Sequence, residues 1–140
     1  PPSPTPDLTI SDGNIYNYGT RAIGSSTDKV FTVTNVGLNP AVSMVEVGLS
    51  GAFAFKGGTY PGTGGICAAT LAGQSTCTIV VTFTPTVTGS AVDTIELNFH
   101  NGFSTQNAFR NVVGVGATPA LLTISDAATY DYGTQATGSS

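Results

Sequence analysis

Residues 8–26 read LTISDGNIYNYGTRAIGSS, and nearly the same string returns at residues 122–140 as LTISDAATYDYGTQATGSS. Thirteen of the nineteen positions are identical, and the offset between the two copies is 114 residues throughout. Self-similarity at a fixed period indicates a repeat architecture. The 140-residue chain therefore divides into a proline-rich tether at 1–6, one repeat unit at 7–120, and the opening strands of a second unit at 121–140.

The positions shared by the two copies are those expected of strands and turns. Leu8 and Ile10 alternate as in a half-buried strand. Tyr16 and Tyr18 lie on the same face of a second strand. Gly19 can adopt backbone angles that other residues avoid. The repeated stretch therefore predicts β-structure and its turns.

Composition narrows the class of protein. Charged residues make up only 9% of the chain, against roughly 25% in ordinary soluble domains. This low value, together with an excess of Thr, Ser, Gly and Val, is typical of secreted all-β domains. Four Lys and Arg residues and a net charge of -4 cannot neutralise a run of phosphates, so no nucleic-acid partner is expected. No apolar run approaches the length of about 20 residues that spans a bilayer, so membrane insertion of this segment is not expected either.

Alternating apolar side chains predict the remaining strands. In residues 28–35, for example, Phe31 and Val33 share one face while threonines occupy the other. Turns recur every eight to twelve residues without a helical period, and Asn101-Gly102 is a strong hairpin turn motif. The sequence therefore predicts an all-β, seven-stranded, immunoglobulin-like sandwich. After the repeated stretch, the predicted strands are 28–35, 41–49, 53–55, 74–85, 91–100 and 109–117.

Two proline-containing segments lie at the junctions of the unit, one before it and one at its end. PPSPTP at positions 1–6 cannot form a helix or a central strand, so we expect an extended tether. Its Ser3 and Thr5 are possible sites of O-glycosylation, although a plain spacer also fits the composition. Thr118-Pro119-Ala120 is too short for a flexible linker. Successive repeats should therefore abut as stiff neighbours.

Cys67 and Cys77 are the only cysteines, and they flank a short loop, AATLAGQST. In an extracytoplasmic protein such a pair is expected to form a disulfide, worth about 3 kcal/mol on loop-entropy arithmetic. A metal site would need more ligands than two thiols, and a redox pair would favour Cys-x-x-Cys spacing. We therefore expect a structural bond, with no metal and no cofactor.

Other candidate chemistry is weak. His100 is the only histidine and lies beside a turn, so a catalytic triad is not expected. Residues 12–14 resemble the start of a calcium loop, but their second copy at 126–128 loses the ligands. The glycine-rich loop at 57–65 lacks the Lys of a phosphate-binding loop, and its Tyr60 offers one aromatic ring to a sugar. No catalytic residue is predicted.

Several segments together carry a resemblance to a known family. The chain resembles the choice-of-anchor D repeats of bacterial surface proteins, relatives of the Hydin-like domains, from about residue 8 to 117 and again from 122. The family usually has Phe in place of Tyr18, and the likeness is loose at 98–109. The matching segments are Tyr18-Gly19-Thr20, Gly24-Ser25-Ser26, Phe31-Thr32-Val33-Thr34-Asn35-Val36-Gly37, Ala52-Phe53, Leu71-Ala72-Gly73-Gln74-Ser75-Thr76-Cys77-Thr78-Ile79, Val81-Thr82-Phe83-Thr84-Pro85 and Gly114-Val115-Gly116.

The resemblance implies an immunoglobulin-like building block, used in tandem outside the cell in adhesins, stalks or spacers attached to enzymes. The family has no shared catalytic residues, and its paired cysteines correspond to Cys67 and Cys77.

A structural role is the expected function. We expect a repeat of a fibre on the bacterial cell surface that assembles head to tail with copies of itself. Leu122, Ile124, Tyr130 and Tyr132 would complete a neighbouring sandwich by strand addition, or continue covalently into it. The alternatives are an adhesin or glycan-binding module that recognises a glycan or a host surface, and a spacer domain of a secreted enzyme.

Overall fold

A computed structural model describes residues 3–120 together with residues 129 and 133. Residues 1–2 and the rest of 121–140 lie outside that description. The described chain contains eight β-strands and one short 3-10 helix, Lys56–Gly58. The strands are β1 Leu8–Ile10, β2 Ile15–Ala22, β3 Thr27–Asn35, β4 Val42–Glu46, β5 Phe53–Phe55, β6 Thr76–Phe83, β7 Gly89–His100 and β8 Thr105–Ala117.

The strands form two four-stranded sheets, in the orders β1-β3-β6-β5 and β2-β8-β7-β4. This is the strand arrangement of a constant-type immunoglobulin sandwich, except that the first strand is divided between the sheets. The chain pairs with β3 as β1, crosses at residues 11–14, and then runs parallel to β8 as β2. The predicted immunoglobulin-like sandwich is confirmed, with eight strands instead of seven because of this division.

Two strands differ from their predicted bounds by more than two residues at one end. Of the strand expected at 41–49, only β4 forms. Its register with β7 shifts between Val42 and Val45, and Ser43 within this irregularity has a φ of 54°. The strand expected at 109–117 begins earlier, at Thr105, which pairs with His100 across the hairpin. Residues 105–107 carry no apolar alternation, so only the pairing with β7 reveals them as strand.

The core lies between the sheets and is built from the alternating inward residues of every strand. Aromatic rings fill its centre: Phe53 stacks on Phe83 at 4.9 Å between centroids, and Tyr18 lies 5.6 Å from Phe83. Pairs of rings at such separations add about 1 kcal/mol each beyond their buried area. Other fully enclosed apolar side chains include Phe31, Val33, Ile79, Val81, Ile95, Leu97, Phe99 and Val112.

The chain enters and leaves the sandwich at opposite ends. Leu8 at the start of β1 pairs with Asn35, the last residue of β3. Ala117 at the end of β8 pairs with Ala22, which precedes the first residue of β3 by only a short turn. The two termini are therefore separated by the full length of β3, whose nine residues span about 30 Å at 3.3 Å each.

Candidate functional site

The N-terminal end of the sandwich comprises residues 3–7, the turn at 36–40, the loop at 71–75 and the hairpin turn at 101–104. At its centre lies Asn35, whose side chain is fully buried. The Asn35 Oδ1 accepts hydrogen bonds from the N–H groups of Asp7 at 3.2 Å and Gly37 at 3.0 Å. Its Nδ2 donates to the carbonyls of Asn39, Leu71 and Ala72 at 2.9, 3.1 and 3.3 Å. One amide therefore ties together three passes of the chain.

Residues 3–7 lie against this end and do not extend away from it. Three of their carbonyls accept N–H groups from the turn at 36–40, in the pairs Ser3–Leu38, Pro4–Asn39 and Asp7–Val36, at 2.9–3.0 Å. A Cβ on Gly37 would come within 2.0 Å of the Thr5 carbonyl oxygen, so only glycine permits this approach. The part of the expected tether that the structure describes is thus held by backbone contacts, and a tether role for residues 1–6 stays a prediction.

The C-terminal end comprises Ala117, the turn at 23–26 and the loop at 84–88. Ile23 N–H donates to the Ala117 carbonyl, and Gly24 N–H donates to the Pro85 carbonyl, both at 2.9 Å. A Cβ on Gly116 would lie 2.2 Å from the Val87 carbonyl oxygen, so the 84–88 loop crosses directly over the end of β8. The last residue of β8 is therefore fixed in place.

A polar network closes the corner where the chain crosses between sheets. Arg110 projects inward from β8 and donates to the carbonyl of Ser11 at 2.8 Å and to that of Ile10. Lys29 pairs with Asp12 at 3.2 Å and lies 4.9 Å from the centroid of the Tyr16 ring. The hydrogen bond from Ser11, together with the charges of Lys29 and Arg110, lowers the pKa of the Asp12 carboxyl. Asp12 thus has a structural partner.

Cys67 and Cys77 are joined in a disulfide with their Cα atoms 4.9 Å apart. Both residues are buried within the core, and Cys67 N–H donates to the Thr78 carbonyl at 3.0 Å. The bond fastens the loop before β6 to the sheet that contains β6.

Tyr60 packs within the domain. Its hydroxyl donates to the Ala68 carbonyl at 2.9 Å, and its ring meets Phe55 edge to face at 5.7 Å. Burial raises the pKa of Tyr60 to about 12. Nearby, a Cβ on Gly62 would come within 2.2 Å of the Val80 carbonyl oxygen, so the 57–65 loop is folded back onto β6. Sugar binding at this loop stays a prediction.

His100 takes part in the β7–β8 hairpin. Its Nδ1 accepts the Gly102 N–H at 3.0 Å, while Asn101 Oδ1 accepts the N–H groups of Phe103 and Ser104 at 2.9 Å. Within residues 3–120, 129 and 133, no group of three or more His, Cys, Asp or Glu side chains is placed to hold a metal ion. The same described residues include no helix with the length and apolar character needed to cross a membrane.

The residues predicted for assembly, Leu122, Ile124, Tyr130 and Tyr132, lie outside the described residues. Their counterparts in the first copy are described. Leu8 and Ile10 are buried against β3, and Tyr18 is enclosed, donating its hydroxyl to the Val81 carbonyl at 2.8 Å. Tyr16 packs edge to face on Tyr18 at 5.0 Å.

Asn35 and Arg110 were missed by the sequence analysis, although their positions in the alternation identify them. Asn35 occupies the inward position that follows Phe31 and Val33, and Arg110 lies between the inward residues Ala108 and Val112. A polar residue on the apolar face of a strand must find partners or incur a desolvation cost. The alternation alone does not identify the hydrogen-bond partners of these two residues.

The chain belongs to the HYDIN/CFA65/VesB-like, Ig-like domain family, which matches residues 8–114. This class is one of immunoglobulin-like domains. No match is found among curated proteins.

Solved structures share the fold. The Vibrio cholerae VesB protease is 18% identical with a TM-score of 0.61, covering 79% of this chain and 32% of that one. The ASH / PapD-like domain 7 of human CEP192 is 13% identical with a TM-score of 0.57, covering 86% and 90%. A protein of unknown function from Porphyromonas gingivalis is 13% identical with a TM-score of 0.57, covering 81% and 48%. The chain thus spans about a third of VesB.

Proposed function

We propose that this domain is a non-catalytic structural repeat of an extracellular fibre on a bacterial cell surface, assembled head to tail through its terminal strands. The observation that carries the proposal is the position of the termini: the chain enters at one end of the sandwich and leaves at the other. A second copy of the opening stretch begins at Leu122, five residues after β8 ends at Ala117. Such a unit extends along one axis each time it is repeated.

The chemistry of the first strand supports this arrangement. Residues 122–126 are identical to residues 8–12, which fill the groove between β3 and β8. Arg110 contacts that stretch through backbone carbonyls, which any copy of the sequence also presents. The equivalent groove of the following repeat therefore suits residues 122–126, and the groove of a neighbouring chain suits them in exchange for its own residues 8–12. Contacts of this head-to-tail kind that do not close into a ring propagate as a filament.

The experiment compares the full chain with a chain ending at residue 120, using sedimentation velocity over a range of concentrations and negative-stain electron microscopy. We expect the full chain to form linear assemblies and the shortened chain to remain a folded monomer. Equal assembly of the two chains, or a full chain that is monomeric at every concentration, would refute assembly through the terminal strands.

A pair of matched variants tests the terminal strands directly. Leu122→Asp with Ile124→Asp should abolish assembly, because their counterparts Leu8 and Ile10 are buried. Ala128→Asp with Gln135→Asp adds the same charge at positions whose counterparts, Asn14 and Arg21, are exposed, and should leave assembly unchanged.

A second candidate function is favoured by one observation. The VesB structure is that of a protease, and this chain covers 32% of it, so the same fold occurs there within an enzyme's chain. A spacer attached to a secreted enzyme would use the same opposed termini without polymerising. Intact-mass analysis of the protein isolated from its source would separate the two, because many 114-residue units favour the fibre and a single unit beside a catalytic domain favours the spacer.

A further inference from the structure

We infer that consecutive repeats meet in a fixed end-to-end joint with no free linker, in which Leu38 and Phe103 of the following repeat pack against Val87 of the preceding one. The inference rests on the proposed function in that it takes the second copy to be the start of a further repeat. It goes beyond that function by assigning the partner surface and the residues that form it.

The connection between repeats contains no residue that is free of both domains. With an offset of 114, residues 3–7 correspond to residues 117–121. In the first repeat, residues 3–7 are hydrogen-bonded along the turn at 36–40. Ala117, the counterpart of Ser3, is already the last residue of β8 and pairs with Ala22. Ala117 therefore ends β8 of one repeat and also occupies the position at which the contacts with the next repeat begin.

Backbone groups suffice for this contact. The acceptors in the first repeat are the carbonyls of Ser3, Pro4 and Asp7, so the different side chains at 117, 118 and 121 do not remove them. The Ala117 carbonyl already accepts the Ile23 N–H, and a carbonyl oxygen has a second lone pair for another donor. Even without these hydrogen bonds, the fully extended segment from Ala117 to Leu122 is shorter than about 20 Å. The facing ends are therefore held close.

Both ends suit mutual burial. The turns and loops at 36–40, 71–75 and 101–104 at one end, and at 23–26 and 84–88 at the other, contain no charged residue. Joining these ends therefore desolvates no charge from those segments. Asp7, exposed at the N-terminal end, has Leu121 as its counterpart at the junction. The one acidic position in the docking segment is thus apolar where two repeats meet.

Exposed apolar side chains mark the contact. Phe103 at the tip of the β7–β8 hairpin is 83% exposed and Leu38 in the 36–40 turn is 53% exposed, both at the N-terminal end. Val87, in the loop that crosses the end of β8, is 71% exposed at the C-terminal end. These residues sit at the positions that tandem connection brings together, and the occupant of each end is the adjoining copy of the same domain.

The test uses the full chain extended to two complete repeats, with residues 1–140 followed by residues 27–120, since Ser140 is the counterpart of Ser26. Spin labels on β3 of each repeat report the distance between repeats by pulsed electron resonance. We expect one narrow distance distribution. Val87→Asp in the first repeat, or Phe103→Asp in the second, should broaden it several-fold. So should a Gly-Ser insertion after Thr118.

Val45→Asp is the matched control, because Val45 is 54% exposed on β4, outside the turns and loops that form the two ends, and should leave the distribution narrow. Circular dichroism checks that every variant is folded. A broad distribution in the unaltered chain would overturn the joint, and a narrow one unmoved by Val87→Asp and Phe103→Asp would overturn the assigned contact. Neither outcome depends on assembly through the terminal strands, which the chain ending at residue 120 and the substitutions at Leu122 and Ile124 test separately.

Discussion

At the scale of single residues, Asn35 satisfies both ends of its amide inside the protein. We predict that Asn35→Ala lowers the free energy of unfolding by about 3 kcal/mol. The substitution leaves the N–H groups of Asp7 and Gly37 and three carbonyls without their buried partner. Urea unfolding monitored by circular dichroism measures the change.

Asn107→Ala is the control, since Asn107 is exposed and makes only a 3.5 Å contact with Glu96. It should change stability by less than about 0.5 kcal/mol. Equal effects of the two substitutions would show that the Asn35 network does not stabilise the N-terminal end.

The buried Tyr18 and the half-buried Tyr60 make stability depend on alkaline pH. Burial raises the pKa of Tyr18 above its ordinary value of 10.0 and raises the pKa of Tyr60 to about 12. The native state therefore keeps these protons when the unfolded chain has released them. Stability from this source is complete below pH 10 and is lost as the pH rises from about 10 towards 12.

We expect the urea midpoint to fall between about pH 9 and pH 11, and Tyr60→Phe to reduce the steepness of that fall. A variant with the same steepness as the unaltered protein would contradict the assignment of Tyr60. The comparison of the two slopes isolates the contribution of Tyr60.

At the scale of elements, Arg110 joins β8 to the crossover between β1 and β2. Arg110→Met keeps the apolar stem but removes the donors to Ile10 and Ser11, so we predict a loss of about 2 kcal/mol. Hydrogen exchange should become faster at the amides of β1 before those of β6. The control Arg21→Met lies on the edge strand β2, and its loss should be smaller. Unchanged exchange in β1 would contradict the role of Arg110.

The disulfide acts on the segment before β6. Replacing Cys67 and Cys77 together by alanine should lower the free energy of unfolding by about 3 kcal/mol, because the unfolded chain regains the freedom of a short closed loop. Urea unfolding provides the value. Under denaturing, non-reducing conditions the unaltered protein should show no alkylatable thiol by intact mass, and two such thiols would refute the bond.

At the scale of the whole molecule, the opposed termini determine how the domain bears tension. Pulling the ends apart draws β8 along β2, its parallel partner over six residue pairs, so the hydrogen bonds between them are loaded together. We predict that a two-repeat chain pulled by atomic force microscopy unfolds one repeat at a time, each releasing roughly 300 Å. Reduction of the disulfide should add about 30 Å, because the segment between the cysteines, which are ten positions apart, is then free to extend.

Arg21→Pro should lower the unfolding force. The Ile23 N–H donates to β8, and the Arg21 N–H, two positions earlier on the strand, faces the same way; proline removes that donor. Arg21→Gln, which installs the residue found at the equivalent position 135, should leave the force unchanged. Equal forces for the two variants would place the resistance elsewhere in the sandwich.

Much of this fold follows from local sequence, because strand alternation is a short-range property. Phe31 with Val33, Ile79 with Val81, and Ile95 with Leu97 each fall on the buried side predicted for them. The repeat length and the pairing of two lone cysteines are likewise readable from the chain itself. These features need no knowledge of which strands become neighbours.

Other features depend on contacts between distant parts of the chain, and only the tertiary structure decides them. Residues 105–107 are a strand because β7 lies beside them, and residues 8–22 divide between two sheets because β3 and β8 are in different layers. The structural roles of Asn35 and Arg110 depend on hydrogen bonds to carbonyls that are 36 and 100 positions away in the sequence, respectively. The sequence by itself determined the periodicity and therefore the class of fold, whereas the pairing of distant strands decided where the chain enters and leaves, since that depends on three-dimensional proximity.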